Sequence, residues 1–267
     1  MNFAGQVLKE QFLHLNLIFR LSLYEEKGKY TMHYLGALWQ ILNPFIQIGV
    51  YWLIFGLGIR KGSPVDGTPF FLWLIIGLVP WLFISRTITQ ASNSIFAKVN
   101  LVSKMNFPVS VLPTIKIVGN SISLFPMIIF TIGIASLYGI FSGAYLLQLI
   151  YYLICLFFFL FAITLLLSTL TTIIRDVQIM VQSIVRLLMY FLPIVWNVHN
   201  FPDFFVNILK LNPLFYIIEG FRYSILGGQW FFEDLSYMIY FWSLSFLILI
   251  IGSYLHIKFR NKFVDYL

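Results

Sequence analysis

Between Lys116 and Arg175 the chain runs for 58 residues without one charged side chain. As a single helix this stretch would be about 87 Å long at 1.5 Å per residue, nearly three times the roughly 30 Å hydrocarbon core of a bilayer. Tyr138-Gly139 and Ser142-Gly143 are turn signals near its middle, so it reads as two membrane spans joined by a tight turn. The composition agrees. Only 10% of the 267 residues are charged and 60% are hydrophobic, with a mean hydropathy of +0.89, whereas soluble domains carry about 25% charged residues. The fold class expected is therefore an all-α polytopic membrane protein, with residues 1–267 forming one membrane domain.

Four further spans follow from the same reasoning. Residues 38–59 are uncharged and long enough to cross, with Asn43-Pro44 predicting a kink. Residues 68–85 form the second span, with Trp73 and Trp81 placed as interfacial anchors. The charge-free run supplies the third and fourth, 109–138 and 144–174. Arg175-Asp176 is a short polar turn ahead of the fifth, 177–198, and 235–257 is the sixth. Residues 203–230 differ: Asn212-Pro213 and Gly227-Gly228 cut them into pieces too short to cross. A re-entrant hairpin on the extracellular side is expected there, with Glu219 and Arg222 paired at i, i+3.

The polar stretches set the organisation. Leu8, Phe12, Leu15 and Phe19 recur at helical spacing, so 3–20 reads as an amphipathic helix lying along the membrane surface. Glu25, Glu26, Lys27 and Lys29 read as a solvated charge cluster. After the second span, Ile95, Val99 and Val102 share one face of a short basic helix that Pro108 stops. Such a piece could either dock a soluble partner or lie in the lipid interface. Eleven of the seventeen Lys and Arg residues fall in the N-terminal segment, the second and fourth loops and the tail. Four fall in the first, third and fifth loops. The positive-inside rule places both termini in the cytosol. The net charge of +7 accordingly speaks for loops held against anionic membrane lipids, not for nucleic acid. No cleavable signal peptide is visible in MNFAGQVLKEQF.

Catalytic chemistry finds little support. There is no GxxxxGK[ST] or GxGxxG phosphate loop and no GxSxG. The four histidines are not at metal-ligand spacing, and the lone Cys155 sits in an apolar run. A membrane transferase or a proton-driven carrier would want carboxylates at membrane depth, and the ten Asp and Glu lie mostly in loops. Cations inside apolar regions are more informative. Arg186 lies about 15 Å into the fifth span by helix rise, where an unshielded arginine costs at least about 2.5 kcal/mol. It is expected to face a pathway. Arg86 and Lys116, nearer the span ends, either snorkel to headgroups or add to a basic inner surface suited to a phosphate-bearing substrate.

The order of parts resembles the type-2 ABC transporter permeases that export polysaccharides. The residues carrying the resemblance are LGALWQILNP at 35–44, VSKMNFPVSVLP at 102–113, TTIIRDVQ at 171–178 and LNPLFYIIEGFR at 211–222. NPFIQIGVYWLIFGLGIR, SKMNFP and YLHIKFRNKFVDYL look more narrowly like the wall teichoic acid translocation permeases of Gram-positive bacteria. The resemblance implies a homodimer in the cytoplasmic membrane, paired with two copies of a separate ABC ATPase subunit. That subunit would bind ATP and Mg, leaving this chain without a cofactor or metal of its own. The implied cargo is a lipid-linked teichoic acid, with O-antigen or capsule as alternatives. By the same resemblance 94–107 is a coupling helix. Ile95, Phe96, Lys98, Val99, Lys104, Met105 and Phe107 would then meet the ATPase, together with Arg175 and Asp176. Trp73, Trp81 and Phe83 would line the outer pathway, and Arg86, Lys116 and Arg186 its basic part.

Overall fold

The computed structural model describes residues 3–59, 63–98, 107–140, 142–198 and 201–263. Among these the secondary structure is helical, apart from one isolated bridge between Val65 and Thr68. Five helices are long and apolar enough to cross a membrane, or six if a bent pair counts as one span.

The N-terminal segment forms two helices, α1 (Phe3–Leu13) and α2 (Leu15–Tyr30). The first crossing is α3 (Trp39–Tyr51), which runs through Pro44 and continues as a π-helical stretch, Trp52–Ile59. Next comes α4 (Phe70–Ser92), against which α5 (Leu112–Leu137), α6 (Gln148–Ile173) and α7 (Asp176–Phe191) pack. Every residue from Leu72 to Trp81 is buried, so α4 is the axis of the bundle. A helix apolar on all sides belongs in the interior, and FFLWLIIGLVPWLF has no polar face to show. Ser92 and Ser94 close its far end by donating hydroxyl hydrogens to the carbonyls of Thr89 and Ala91. The short α8 (Asp203–Lys210) and α9 (Pro213–Leu226) meet at a 103° bend. The last crossing is α10 (Leu235–Phe259), packed along α6.

Several expectations change. The N-terminal helix does not stop at 20: α2 carries on to Tyr30 along α5. Glu25 and Glu26 are consequently folded into the structure, and Glu26 is only 4% exposed. A solvated cluster is replaced by an internal ion-pair network, described below. The second span extends two turns beyond Ser85, which puts Arg86 inside helix α4. Trp73 and Trp81 are not lipid-facing anchors but buried side chains, because they share the interior helix. The expected fifth span, 177–198, is instead a helix of 16 residues that is not among those long and apolar enough to cross a membrane. It ends at Phe191 because Pro193 cannot continue the hydrogen-bond ladder and disfavours helix at Leu192. Leu192, Pro193 and Ile194, which carry the chain onward without helix, are all buried. Irregular backbone at membrane depth is tolerated only when protein covers it.

Other expectations agree with the structure. Asn212-Pro213 does divide 203–230. The Asn212 side chain accepts a hydrogen bond from the Leu214 N–H, and Pro213 opens α9. Gly227 ends that helix at φ 82°, a conformation that costs a residue with a Cβ. The pair of helices stays near Ser142, Gln148 and the loop at 63–69, since Ser142 donates to the Ser224 carbonyl and Gln148 to that of Gln229. Cys155 is buried, as its apolar run predicted.

Candidate functional site

Three helices contribute polar side chains to one groove of about 730 Å³. Helix α3 brings Asn43 and Gln47, α4 brings Ser85, Arg86, Thr89 and Gln90, and α7 brings Gln182 and Arg186. Each set is spaced i, i+4, so each forms a ridge on one face of its helix. In a bilayer such ridges cost free energy unless they meet water, protein or a substrate. Arg186 remains exposed, its Nε donating back to the Gln182 carbonyl at 3.2 Å. Asn43, Gln47 and Gln182 are exposed as well, while the α4 members are half-buried at the groove floor. The Gln90 side-chain oxygen is buried with no hydrogen-bond partner among the described residues. The groove is therefore open on one side, with part of its polar lining exposed.

Sequence reading picked out Arg86 and Arg186 by their charge. It missed the six neutral polar members, although their i, i+4 recurrence in largely apolar segments was a usable signal. Lys116 does not join the groove. Its ammonium lies 2.6 Å from Glu25 Oε2. Of the aromatic residues expected along the outer pathway, Trp81 is buried in the α4 interior. Phe83 borders a small cavity beside Arg86, and Trp73 lies beneath the Arg222 guanidinium, 3.7 Å from the ring centre.

At one end of the bundle the N-terminal helices are tied to the residues expected to couple. Glu25 pairs with both Lys98 and Lys116. Glu26 pairs with Lys29, accepts from Gln40 Nε2 at 3.1 Å, and lies 3.9 Å from Arg86 Nη2. Burial pushes the Lys29 and Lys98 ammonium groups below the ordinary lysine value, since desolvation disfavours the charged form. Gly119 makes room for this arrangement: a Cβ there would sit 3.1 Å from the Glu26 carboxylate. A basic inner surface is thus corrected in part. Both Arg86 and Lys116 face acids from α2, and Arg186 alone of the three has no acid within ion-pair distance among the described residues.

The loop after α4 turns inward first. Ile95 is buried against Ile18, Val111, Leu112, Ile115 and Phe263, and Phe107 borders the same cluster. The ring of Phe96 carries the Arg175 guanidinium at 3.6 Å, which joins two segments far apart in sequence. Arg175 and Asp176 are exposed, Asp176 in the first turn of α7, where the helix dipole favours an acid. Gln178 binds that helix to the end of α4, accepting from Ser92 Oγ at 2.7 Å and donating to the Thr89 carbonyl. The expected helix at 94–107 is represented by the 3₁₀ turn Phe96–Lys98. Val99, Lys104 and Met105 lie outside the described residues. A second set of bonds fastens α1: Glu10 binds Arg260 at 2.8 Å and accepts from Ser110 at 2.5 Å.

Comparison with known proteins gives this geometry a context. The chain is 28% identical over 242 residues to an O-antigen export system permease protein RfbA of Klebsiella pneumoniae, covering 90% of this chain and 91% of the relative. A second K. pneumoniae protein of the same description is 26% identical over 244 residues, with the same coverage. A Myxococcus xanthus O-antigen export system permease protein RfbA is 33% identical over 115 residues, a match spanning 43% of each chain. The family model described as ABC-2 type transporter matches residues 18–226. With most of its length matched and several apolar helices long enough to cross a bilayer, this multi-pass membrane protein belongs to the ABC-2 type transporter family.

Proposed function

We propose that the chain is the permease subunit of an ATP-driven exporter that moves a lipid-linked polysaccharide of the O-antigen type across the cytoplasmic membrane. The observation that carries this is the one-sided polar groove with Arg186 and Arg86 in it. A hydroxyl-rich chain on a diphosphate lipid needs hydrogen-bonding side chains and a few cations, and that is what the three groove helices present. A second copy facing the first would close the groove into a conduit, so the working unit is a homodimer. Two copies of a separate ATPase, which hold ATP and Mg, would dock at the end bearing Phe96, Lys98, Arg175 and Asp176. That end and both termini are then cytosolic. Ile95 would anchor the coupling segment to α2 and α5 from inside, and Val99, Lys104, Met105 and Phe107 would complete it.

Wall teichoic acid is the second reading, favoured by the two arginines at the groove, which suit a phosphodiester backbone, and it would assign the protein to a Gram-positive bacterium. The test is co-expression with a candidate ATPase subunit, followed by ATPase assays of the co-purified complex with lipid-linked O-antigen or lipid-linked teichoic acid. Stable capture and stimulation by the former are expected. Stimulation by teichoic acid alone would move the cargo to the second reading, and failure to capture any ATPase would overturn both.

A further inference from the structure

A second cavity, of about 570 Å³, lies at the end of the bundle away from Phe96 and Arg175, under the bent pair α8–α9. That volume falls within the roughly 300–1,000 Å³ typical of small-ligand sites. Its lining comes from four segments: the turn at 65–68, the start of α4, the stretch after α7, and α8–α9. Asp66, Asp203 and Glu219 bring three carboxylates, and Lys210 and Arg222 bring two cations. Phe201, Phe215 and Tyr223 add ring surfaces.

Arg222 is the centre of this wall and is only 5% exposed. Its Nη1 donates to Glu219 at 2.6 Å, its Nη2 to the Ile194 carbonyl at 3.5 Å, and its flat face rests on Trp73. The Nε has no acceptor among the described residues. Gly77 allows the approach, because a Cβ there would be 2.9 Å from Arg222 Nη2. The turn carrying Asp66 is fixed too. Asp66 and Gly67 have φ of 47° and 77°, as a tight Asp-Gly hairpin turn requires. Asp66 also accepts from Asn197 Nδ2 at 2.8 Å.

We infer that this cavity binds one or two sugar units of a neutral glycan. Carboxylates with Lys210 and Arg222 beside them suit the mixed donors and acceptors of sugar hydroxyls, and ring faces suit their C–H faces. Among the described lining residues acids outnumber cations, which disfavours a phosphate-rich chain. No group of three His, Cys, Asp or Glu side chains among the described residues is placed to hold a metal ion, so the acids are better matched to hydroxyls than to a cation. The assignment rests on the export reading for its cargo class, and places a holding site where the glycan would leave the groove side of the membrane. It would limit backsliding between ATP cycles.

Saturation-transfer NMR on the purified full-length protein in nanodiscs tests it, with mannotriose and a glycerol-phosphate trimer as probes and no ATPase present. Asp203→Asn alters an exposed residue outside the core and Tyr223→Ala removes a ring; thermal unfolding checks that both remain folded. Mannotriose should bind, and each variant should weaken it about tenfold, the loss expected for one hydrogen bond to a charged group or one ring contact. No signal from mannotriose, binding indifferent to both variants, or equal or tighter binding of the glycerol-phosphate trimer would each overturn the assignment. ATPase capture does not depend on this cavity, so the export reading stands or falls separately.

Discussion

Glu26 and Arg186 are both charges inside a membrane protein, and their surroundings give them opposite roles. Glu26 is enclosed, with Lys29, Gln40 and Arg86 around it and Gly119 leaving space for its carboxylate. Replacing it with Gln keeps the shape but leaves two half-buried cationic neighbours without their acid. A loss of about 1–3 kcal/mol is expected, read as a lowered unfolding temperature in nanodiscs. Gly119→Ala should act in the same direction more weakly, because the carboxylate must shift by a few tenths of an ångström. Arg186 is exposed on the groove wall, with its Nε bonded within its own helix to the Gln182 carbonyl. Arg186→Ala should therefore leave the unfolding temperature unchanged while slowing export in a reconstituted vesicle assay. If the variant instead unfolded early and exported normally once stabilised, the groove would not be the pathway.

At the scale of elements, the joints between helices matter more than the helices. Gly220 on α9 is pressed against the Tyr152 ring of α6, where any Cβ would overlap ring atoms. Gly220→Ala should cost about 1–3 kcal/mol by overpacking and loosen α9 from the bundle, which increased proteolysis at 203–230 would reveal. The Phe96–Arg175 stack joins the loop after α4 to the start of α7, a groove-lining helix. Substituting Phe96 with Asp would turn that stack into a contact of a different kind and alter the surface offered to an ATPase. ATP hydrolysis by the assembled complex should then lose its stimulation by cargo, while the isolated permease stays folded. Unchanged stimulation would assign coupling elsewhere.

For the whole molecule, the open groove is the feature that the proposed homodimer would cover. Asn43, Gln47, Gln182 and Arg186 are exposed, an arrangement that lipid contact would penalise by at least about 2.5 kcal/mol for the arginine. A second copy is the simplest cover. Cys155 is buried and is the single cysteine, so cysteine cross-linking has a quiet background. Gln47→Cys should form dimers on mild oxidation in membranes, whereas Ile129→Cys, on the exposed face of α5, should not. The reverse pattern would relocate the dimer interface.

By itself the sequence determined the membrane class, because 58 uncharged residues leave no other place for the chain between Lys116 and Arg175. It also determined most of the crossings and the break at Asn212-Pro213, since length, hydropathy and proline are local properties. The Glu219–Arg222 pair was legible for the same reason, being one helical turn apart. Only the tertiary structure decided where charges are spent. That Glu25 and Glu26 reach Lys98, Lys116 and Arg86, that Trp73 lies under Arg222, and that polar residues from α3, α4 and α7 share one groove are contacts between distant segments. Their cause is the packing of helices about α4, which no local pattern records.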